Sequence, residues 1–481
     1  MKNEIYRFRS INSLIGEYKE LENQVIFFAT PQLLNDPMEG FRDMYWDGDF
    51  IAWRNLFKHY LLCLDRMFSM LFIVGEEHEI LTDHIPLFSG GNDFTTSMHK
   101  KLFSKISENF FENEPLLTLI KSISKRTTPV RRDELYFYLR AIHPLAIETI
   151  FSEYETNKLV PLRESKYNNP EKSIINLIEK KFITLIEEGS NANTHDEKIN
   201  VLFHACKSAQ LQIELINRYH GSIDVKNKNK NFVFIEFPDR YISLLEQLVF
   251  PEWYTACFMS ECKNSSVWGH YGDNHSGICM IFNVDIIDDK SFLNLNQING
   301  YSSISGETYG LTKHQFHQID YINGYGQIDF FRMLGRLPIP TLNSMWYSFD
   351  GKVSECADEM INSEEQWREN YWSNFYRDIT SKTKDWEYEK EFRLILNNAV
   401  INFSDPKDRA LTYEFKSLKG IIFGINTKIE DKLKIIKIIE EKCKENGRND
   451  FKFYQAYYSP NEKSIDYYEM SLLDSSQNET T

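Results

Sequence analysis

The spacing of apolar residues along this chain changes character twice. Over the first fifty residues, strand-like and helix-like patterns alternate. Ile5 to Phe8 predicts a short strand, SINSLIGEYKELEN (10–23) places Ile11, Leu14, Ile15 and Tyr18 at helical spacing, and QVIFFA (24–29) predicts a second strand. Thr30 and Pro31 supply an N-cap and a first-turn proline for a short helix that Asn35-Asp36-Pro37 stops.

From about residue 51 to 235 long amphipathic stretches dominate, among them IAWRNLFKHYLLCLDRMFSMLF and KSIINLIEKKFITLIEEG. GSNANTHDEK (189–198) and KNKNKN (226–231) interrupt them and read as surface loops. After residue 232 strand patterns return. FVFIEF (232–237) alternates, YTACFMS (254–260) is apolar, and GICMIFNV (277–284) is apolar on both faces, as a covered central strand would be. WEYEKEFRLIL (386–396), LKGIIFGI (418–425), a helix over about 427–446 and FKFYQAYY (451–458) follow, and the end of SLLDSSQNETT reads as disordered. The expected fold is therefore an α+β core interrupted by a long, mainly helical insertion. Its expected parts are 1–50 (first part of the core), 51–235 (insertion), 236–460 (second part of the core) and 461–481 (tail).

Composition narrows the function. With 55 Lys and Arg against 70 Asp and Glu the net charge is −15, which disfavours coating of duplex nucleic acid through bulk charge. The longest apolar stretch, YLLCLDRMFSMLFIVG (60–75), contains Asp65 and Arg66 and falls short of the roughly 20 residues of a membrane span, so no membrane partner is expected. No apolar signal core follows the first basic residue, and seven scattered cysteines make no disulfide framework; a reducing cytoplasm is the expected compartment. P-loop, dinucleotide, serine-hydrolase elbow and zincin motifs are absent from the sequence.

Three places can carry chemistry. Strand alternation in WEYEKEFRLIL would put Glu387, Glu389, Glu391 and Arg393 on one face, with like charges about 7 Å apart. That pattern fits a solvated sheet face, or a cleft-facing pair, Glu389 and Glu391, steadied by Arg393 and able to stabilise a cationic transition state. In SSVWGHYGDNHSGICMIF, Trp268, His270, Tyr271, Asp273 and His275 crowd a turn before a central strand, reading as a packed aromatic corner or as acid-base and phosphate-contacting groups. Adding Cys257 and Cys262 gives a Cys-x4-Cys-x7-His-x4-His spacing too short for the usual zinc finger, so no metal is expected. Near the N-terminus Arg7 and Arg9 flank Phe8 and can grip a phosphate or carboxylate, while Asn35, Asp36 and Glu39 lie where a helix breaks.

In order, IYRFRS, NDPMEG, CFMSECKNSSVWGHYGDNHSGICMIF and WEYEKEFRLIL followed by GIIFGI resemble the bacterial family called domain of unknown function 2971, over about residues 4–45 and 250–460. The arrangement is in turn similar to the split-sheet ADP-ribosyltransferase fold of toxin and phage-defence proteins. That likeness implies an NAD-dependent ADP-ribosyltransferase or NAD glycohydrolase acting on a nucleic-acid, protein or small-molecule target. Arg9 or Arg7 would hold the NAD diphosphate or ribose. Tyr271 or Trp268 would stack on nicotinamide, Glu391 would stabilise the ribosyl cation and Glu389 would orient the acceptor. His270 joins them as a catalytic candidate, and Tyr6, Asn35, Asp36, His275 and Arg393 as binding candidates. The family's Ser-Thr-Ser element does not precede the Glu-x-Glu here. Two other readings stay open: a metal-dependent nuclease built on His270, Asp273, His275 and a carboxylate from the 387–391 face, and a non-catalytic binding or sensing module that forms a homo-oligomer through the helical insertion.

Overall fold

Ile278–Asn283 shows why one strand can organise a sheet. Its alternate residues face two separate apolar cores, Cys279 and Ile281 on one side and Ile278, Met280 and Phe282 on the other. In the computed structural model, which describes residues 3–90, 93–94, 96–163, 168–188, 195–304, 306–322 and 324–472, this strand is β3 of an eight-stranded sheet. In chain order the others are Glu4–Arg9 (β1), Trp253–Met259 (β2), His317–Gln318 (β4), Glu391–Asn397 (β5), Leu418–Phe423 (β6), Lys452–Ser459 (β7) and Ser464–Glu469 (β8). Across the sheet the order is β4-β5-β2-β1-β3-β6-β7-β8. All neighbours run antiparallel except β6 and β7, which are parallel and joined by the helix Ile429–Asn446.

The sheet has a gap. β1 pairs with β3 along its whole length, but meets β2 at a single register, Tyr6 opposite Met259. Beyond that pair Arg7 to Ser10 no longer pair with Thr255 to Cys257, and Thr255 exchanges both of its backbone hydrogen bonds with Ala29 instead. A second sheet, formed by Val25–Phe27, Ala410–Tyr413, Lys290–Ser302 and Asp285–Ile287, with Gly306–Gln315 paired to Lys290–Ser302, contributes Ile26, Leu293, Leu295 and Leu411 to the larger core.

The chain divides into two units. One comprises 1–41, 251–326 and 376–481 and holds the sheets just described; the other comprises 42–250 and 327–375. The second unit is mainly helical, with helices such as Phe50–Val74, Ser97–Phe111, Arg132–Thr156 and Phe237–Val249, and a small sheet of Asp43–Trp46, Val130–Arg131 and Gln327–Asp329. The mixed α and β architecture with a long helical stretch is as the sequence implies. Its limits differ: the helical unit starts at Arg42, runs to Phe250, and recruits 327–375, a segment assigned to the core from sequence.

Local expectations also shift. FVFIEF is not a strand; Phe232–Glu236 forms a π-helical turn running into Phe237–Val249, because a short apolar run satisfies a buried helix as readily as a strand. The helix expected over 10–23 is confined to Ile11–Ile15, capped by the Ser10 side chain. KNKNKN is not a loop throughout, since Lys228–Asn231 is helical. The stretch 461–481 is not all tail: Ser464–Glu469 is the edge strand β8, while 473–481, expected to be disordered, lie outside the described residues. Within GSNANTHDEK, 189–194 likewise lie outside them, and the helix His195–Tyr219 begins before its end. No helix among the described residues is long and apolar enough to cross a membrane.

Candidate functional site

The gap between β1 and β2 opens into a cavity of about 290 Å³. Its wall contains Arg7, Arg9, Ser10, Asn35, Glu39, Cys257, His270, Tyr271, Lys382, Glu391 and Arg393. Residues separated by hundreds of positions thus meet where two strands part.

The chemistry centres on β5. The sequence pattern predicted one strand over 386–396, but Lys384–Glu389 is a 3-10 turn and Lys390 is left-handed at φ 48°, so the strand starts at Glu391. Alternation therefore does not relate Glu387, Glu389 and Glu391. Glu387 is exposed, whereas the kink buries Glu389 and Glu391, each 1% exposed, on either side of one ammonium. Lys382 Nζ donates to Glu389 Oε2 at 2.8 Å and to Glu391 Oε2 at 3.1 Å. A solvated carboxylate face is not what forms.

Arg393 completes the network. Its Nε donates to Glu391 Oε1 at 2.8 Å, its Nη2 to Glu39 Oε2 at 2.9 Å and to Glu391 Oε2 at 3.2 Å, and its Nη1 to the Ile379 carbonyl at 2.8 Å. A guanidinium suits this position because its planar fork serves two carboxylates at once. Tyr321 accepts the Glu391 backbone N–H at 2.8 Å, and Tyr271 donates its hydroxyl to Glu389 Oε1 at 2.7 Å.

Burial alone would raise the Glu391 carboxyl, but Arg393 and Lys382 outweigh it and hold the group down to about 2. Burial dominates at Glu389 and Glu39 and raises both, with Lys382 and Arg393 respectively opposing it. Glu391 is thus ionised at neutral pH. Its depressed value means that the folded chain binds this proton less tightly than the unfolded chain. Its stabilisation is complete above the ordinary value of 4.5 and is lost as pH falls through about 2. Glu39 and Glu389 act in the opposite direction, because protonation relieves the cost of their burial. The urea midpoint of wild type minus that of Glu391→Gln is therefore expected to narrow steadily from about pH 5 to about pH 3. A constant difference would show that Glu391 is not held ionised.

At the β1 side, Arg7 and Arg9 do not play equal parts. Arg9 is paired with Glu20 through Nε at 2.7 Å and through a second bond from Nη2. Arg7 is 5% exposed, stands 5.2 Å over the Phe258 ring, and donates from Nη2 to the Phe27 carbonyl at 3.4 Å; its Nη1 has no partner. Burial, and after it the charge of Arg9, lowers Arg7 to about 10, leaving it a cation at neutral pH. A buried guanidinium N–H without an acceptor is costly unless something supplies one. Arg7→Gln is expected to weaken binding of an anionic ligand about tenfold or more, since hydrogen bonds to charged groups contribute about 1.5–3 kcal/mol. Calorimetric titration with NAD checks this, and unchanged affinity would remove Arg7 from the site.

Other sequence candidates separate. Within the helix Ser265–Tyr271, His270 and Tyr271 face the cavity, and His270 Nδ1 lies 3.0 Å from the Tyr388 hydroxyl. Trp268, one turn earlier, is core: its ring packs edge-on to Phe8 at 4.9 Å and its Nε1–H donates to the Cys262 carbonyl. It cannot stack on a ligand here. Tyr6 points to that same core, away from the cavity lining, and its hydroxyl reaches Glu4. Asp36 accepts from the Met38 N–H and caps its own turn outside the lining. His275 belongs to a left-handed run, Asp273 to His275, whose shape lets Gly277 and Gly424 approach closely; an added Cβ at Gly424 would stand 2.3 Å from the His275 carbonyl. Glu389 stands behind Tyr271 and Lys382 and does not line the cavity.

Lys382 was not legible from sequence. It lies in the polar stretch TSKTKD and reaches the site because Ser381–Thr383 pairs in parallel with Asp320–Ile322. Cys257 lines the cavity beside Glu391, while Cys262 is in the apolar core, so the four residues of the zinc-like spacing diverge. Among the described residues, no group of three or more His, Cys, Asp and Glu side chains is arranged to hold a metal ion.

None of the curated proteins and none of the solved structures matches the chain. A family model does match residues 267–394, a stretch that includes His270, Tyr271, Lys382, Glu389, Glu391 and Arg393 but not the β1 arginines. That model is of the family described as "Protein of unknown function (DUF2971)", and the match spans residues 267–394 of the 481.

Proposed function

We propose that the cavity binds the nicotinamide-ribose and diphosphate portion of NAD and that the protein transfers ADP-ribose to an acceptor or to water. One observation carries this reading: the split between β1 and β2 brings a buried cation with a free Nη1, Arg7, and an ionised carboxylate, Glu391, to the walls of one cavity. NAD supplies an activated N-glycosidic bond whose cleavage sends the bonding pair to nicotinamide and leaves positive charge on the ribose. Glu391 offers the opposite charge to that developing cation, already fixed in place by Arg393 and Lys382, so little reorganisation is needed when the charge appears. Arg7 binds a phosphate oxygen through its free N–H. Tyr271 presents an aromatic wall, its hydroxyl fixed by Glu389.

The acceptor is an oxygen nucleophile that must lose a proton as the new C–O bond forms. Glu389 is poorly placed to take that proton, because both of its oxygens already accept hydrogen bonds and it stands off the wall. His270 lies on the wall, and in the tautomer that donates Nδ1–H to Tyr388 its Nε2 is free to accept. Toxin or antiviral-defence activity would follow from the consumption of NAD or from modification of a protein or nucleic acid. Nicotinamide release by the purified protein tests the reading, and no release together with no NAD binding would overturn it.

A non-catalytic binding role is the second reading, favoured by the hydrogen bonds that both Glu391 oxygens already accept from Arg393 and Lys382. It predicts that NAD, or another nucleotide, binds without turnover.

A further inference from the structure

The helical unit contains a cavity of about 580 Å³ bordered by the helices Arg132–Thr156, Lys172–Glu179, Phe182–Glu188 and His195–Tyr219. We propose that this cavity is a binding site of its own, for a small planar aromatic anion. The proposal is independent of the reading given for the sheet cavity.

Three observations support it. The volume lies within the range of small-molecule sites. One wall is aromatic: the part-buried rings of Phe137 and Phe182, 5.3 Å apart and backed by the buried Phe203, offer edges and faces against which a flat ring can pack. The lining is also cationic, with Arg140, Lys180 and Lys207 against Asp133 alone, in a chain whose net charge is −15.

The cations are held in position but not saturated. Arg140 donates from Nη1 to the Ile235 carbonyl at 2.8 Å and pairs through Nη2 with Glu214 at 3.3 Å. Its Nε–H is left over. Lys207 sits between Asp239 at 2.9 Å and Asp133 at 3.3 Å, and 5.0 Å over the Tyr136 ring, which leaves one ammonium N–H. Glu214, Asp239 and Asp133 balance Arg140 and Lys207 and hold them in place, which leaves Lys180 as the uncompensated charge of the lining. Lys180 makes no ion pair among the described residues. A cation would find no unpaired carboxylate on this lining, and an aliphatic chain would leave the remaining N–H donors without acceptors. An aromatic ring carrying a sulfonate, carboxylate or phosphate satisfies both the rings and the donors.

The test uses the full chain and the probe 8-anilinonaphthalene-1-sulfonate. Saturable one-to-one binding is expected, at least tenfold weaker in Lys180→Glu and in Phe137→Ala, and displaced by adenosine monophosphate if the natural ligand is a nucleotide. Lys180 is exposed and unpaired, so its reversal leaves the fold intact, and equal melting temperatures confirm that. Binding undiminished by Lys180→Glu would overturn the proposal, as would equal affinity for the uncharged 1-anilinonaphthalene, which would show apolar filling alone. If displacement requires an aromatic carboxylate rather than the phosphate, the site stands and its ligand is a carboxylate.

Discussion

Glu391→Gln is expected to lower nicotinamide release from NAD by about 10²- to 10³-fold, the usual consequence of removing one fixed electrostatic stabiliser from an active site. The substitution keeps the size of the side chain and an oxygen for Arg393 Nε, but its amide NH2 replaces the oxygen that accepts from Lys382 and Arg393, so the melting temperature of the variant is measured beside its rate to separate loss of the charge from loss of the fold. NAD affinity should change little if, as proposed, Arg7 on the other strand carries the phosphate contact. A Glu391→Gln protein that binds NAD and releases nicotinamide at the wild-type rate would end the transferase reading. A wild-type protein that binds NAD with no turnover would select the binding role instead.

The largest expected effect on stability belongs to Arg393. It is wholly buried, yet four of its contacts go to Glu39 and Glu391. Arg393→Met would leave two buried carboxylates facing each other with only Lys382 to serve Glu391, and removing one partner of such a group costs roughly 3–5 kcal/mol. Urea denaturation at neutral pH should register that loss. Part of it should return in the double variant Glu39→Gln, Arg393→Met, because the second change removes one of the orphaned charges. Arg393→Lys should not rescue the single change, since an ammonium cannot fork between two carboxylates. A single variant within about 1 kcal/mol of wild type would show that the network is solvated in solution.

Residues 5 to 8, 254 to 259, 278 to 283 and 418 to 423 were legible as strands because each has a covered apolar face, and burial is a property the residue type declares. Arg7, Arg9, Asn35, His270, Tyr271, Glu391 and Arg393 were legible as candidates because polar groups at strand ends and turns have few structural reasons to be there. The sequence could not separate Trp268 from Tyr271, three residues apart on one short helix, since one faces the core and the other the cavity through rotation of that helix alone. Nor could it separate Arg7 from Arg9, because the pairing of Arg9 with Glu20 depends on how the intervening turn closes.

The amino-acid order by itself therefore determined the α+β class, most of the strands of the main sheet and a short roster of polar residues, because periodicity and burial are local statements about a chain. Tertiary structure decided which of those residues meet. The left-handed turn at Lys390 set Glu389 and Glu391 about one ammonium, the parallel pairing of Ser381–Thr383 delivered that ammonium, and the single register between β1 and β2 opened the cavity. Each is a meeting of residues far apart in the chain or a break in a local period, and the charge state of Glu391 follows only once its neighbours are in place.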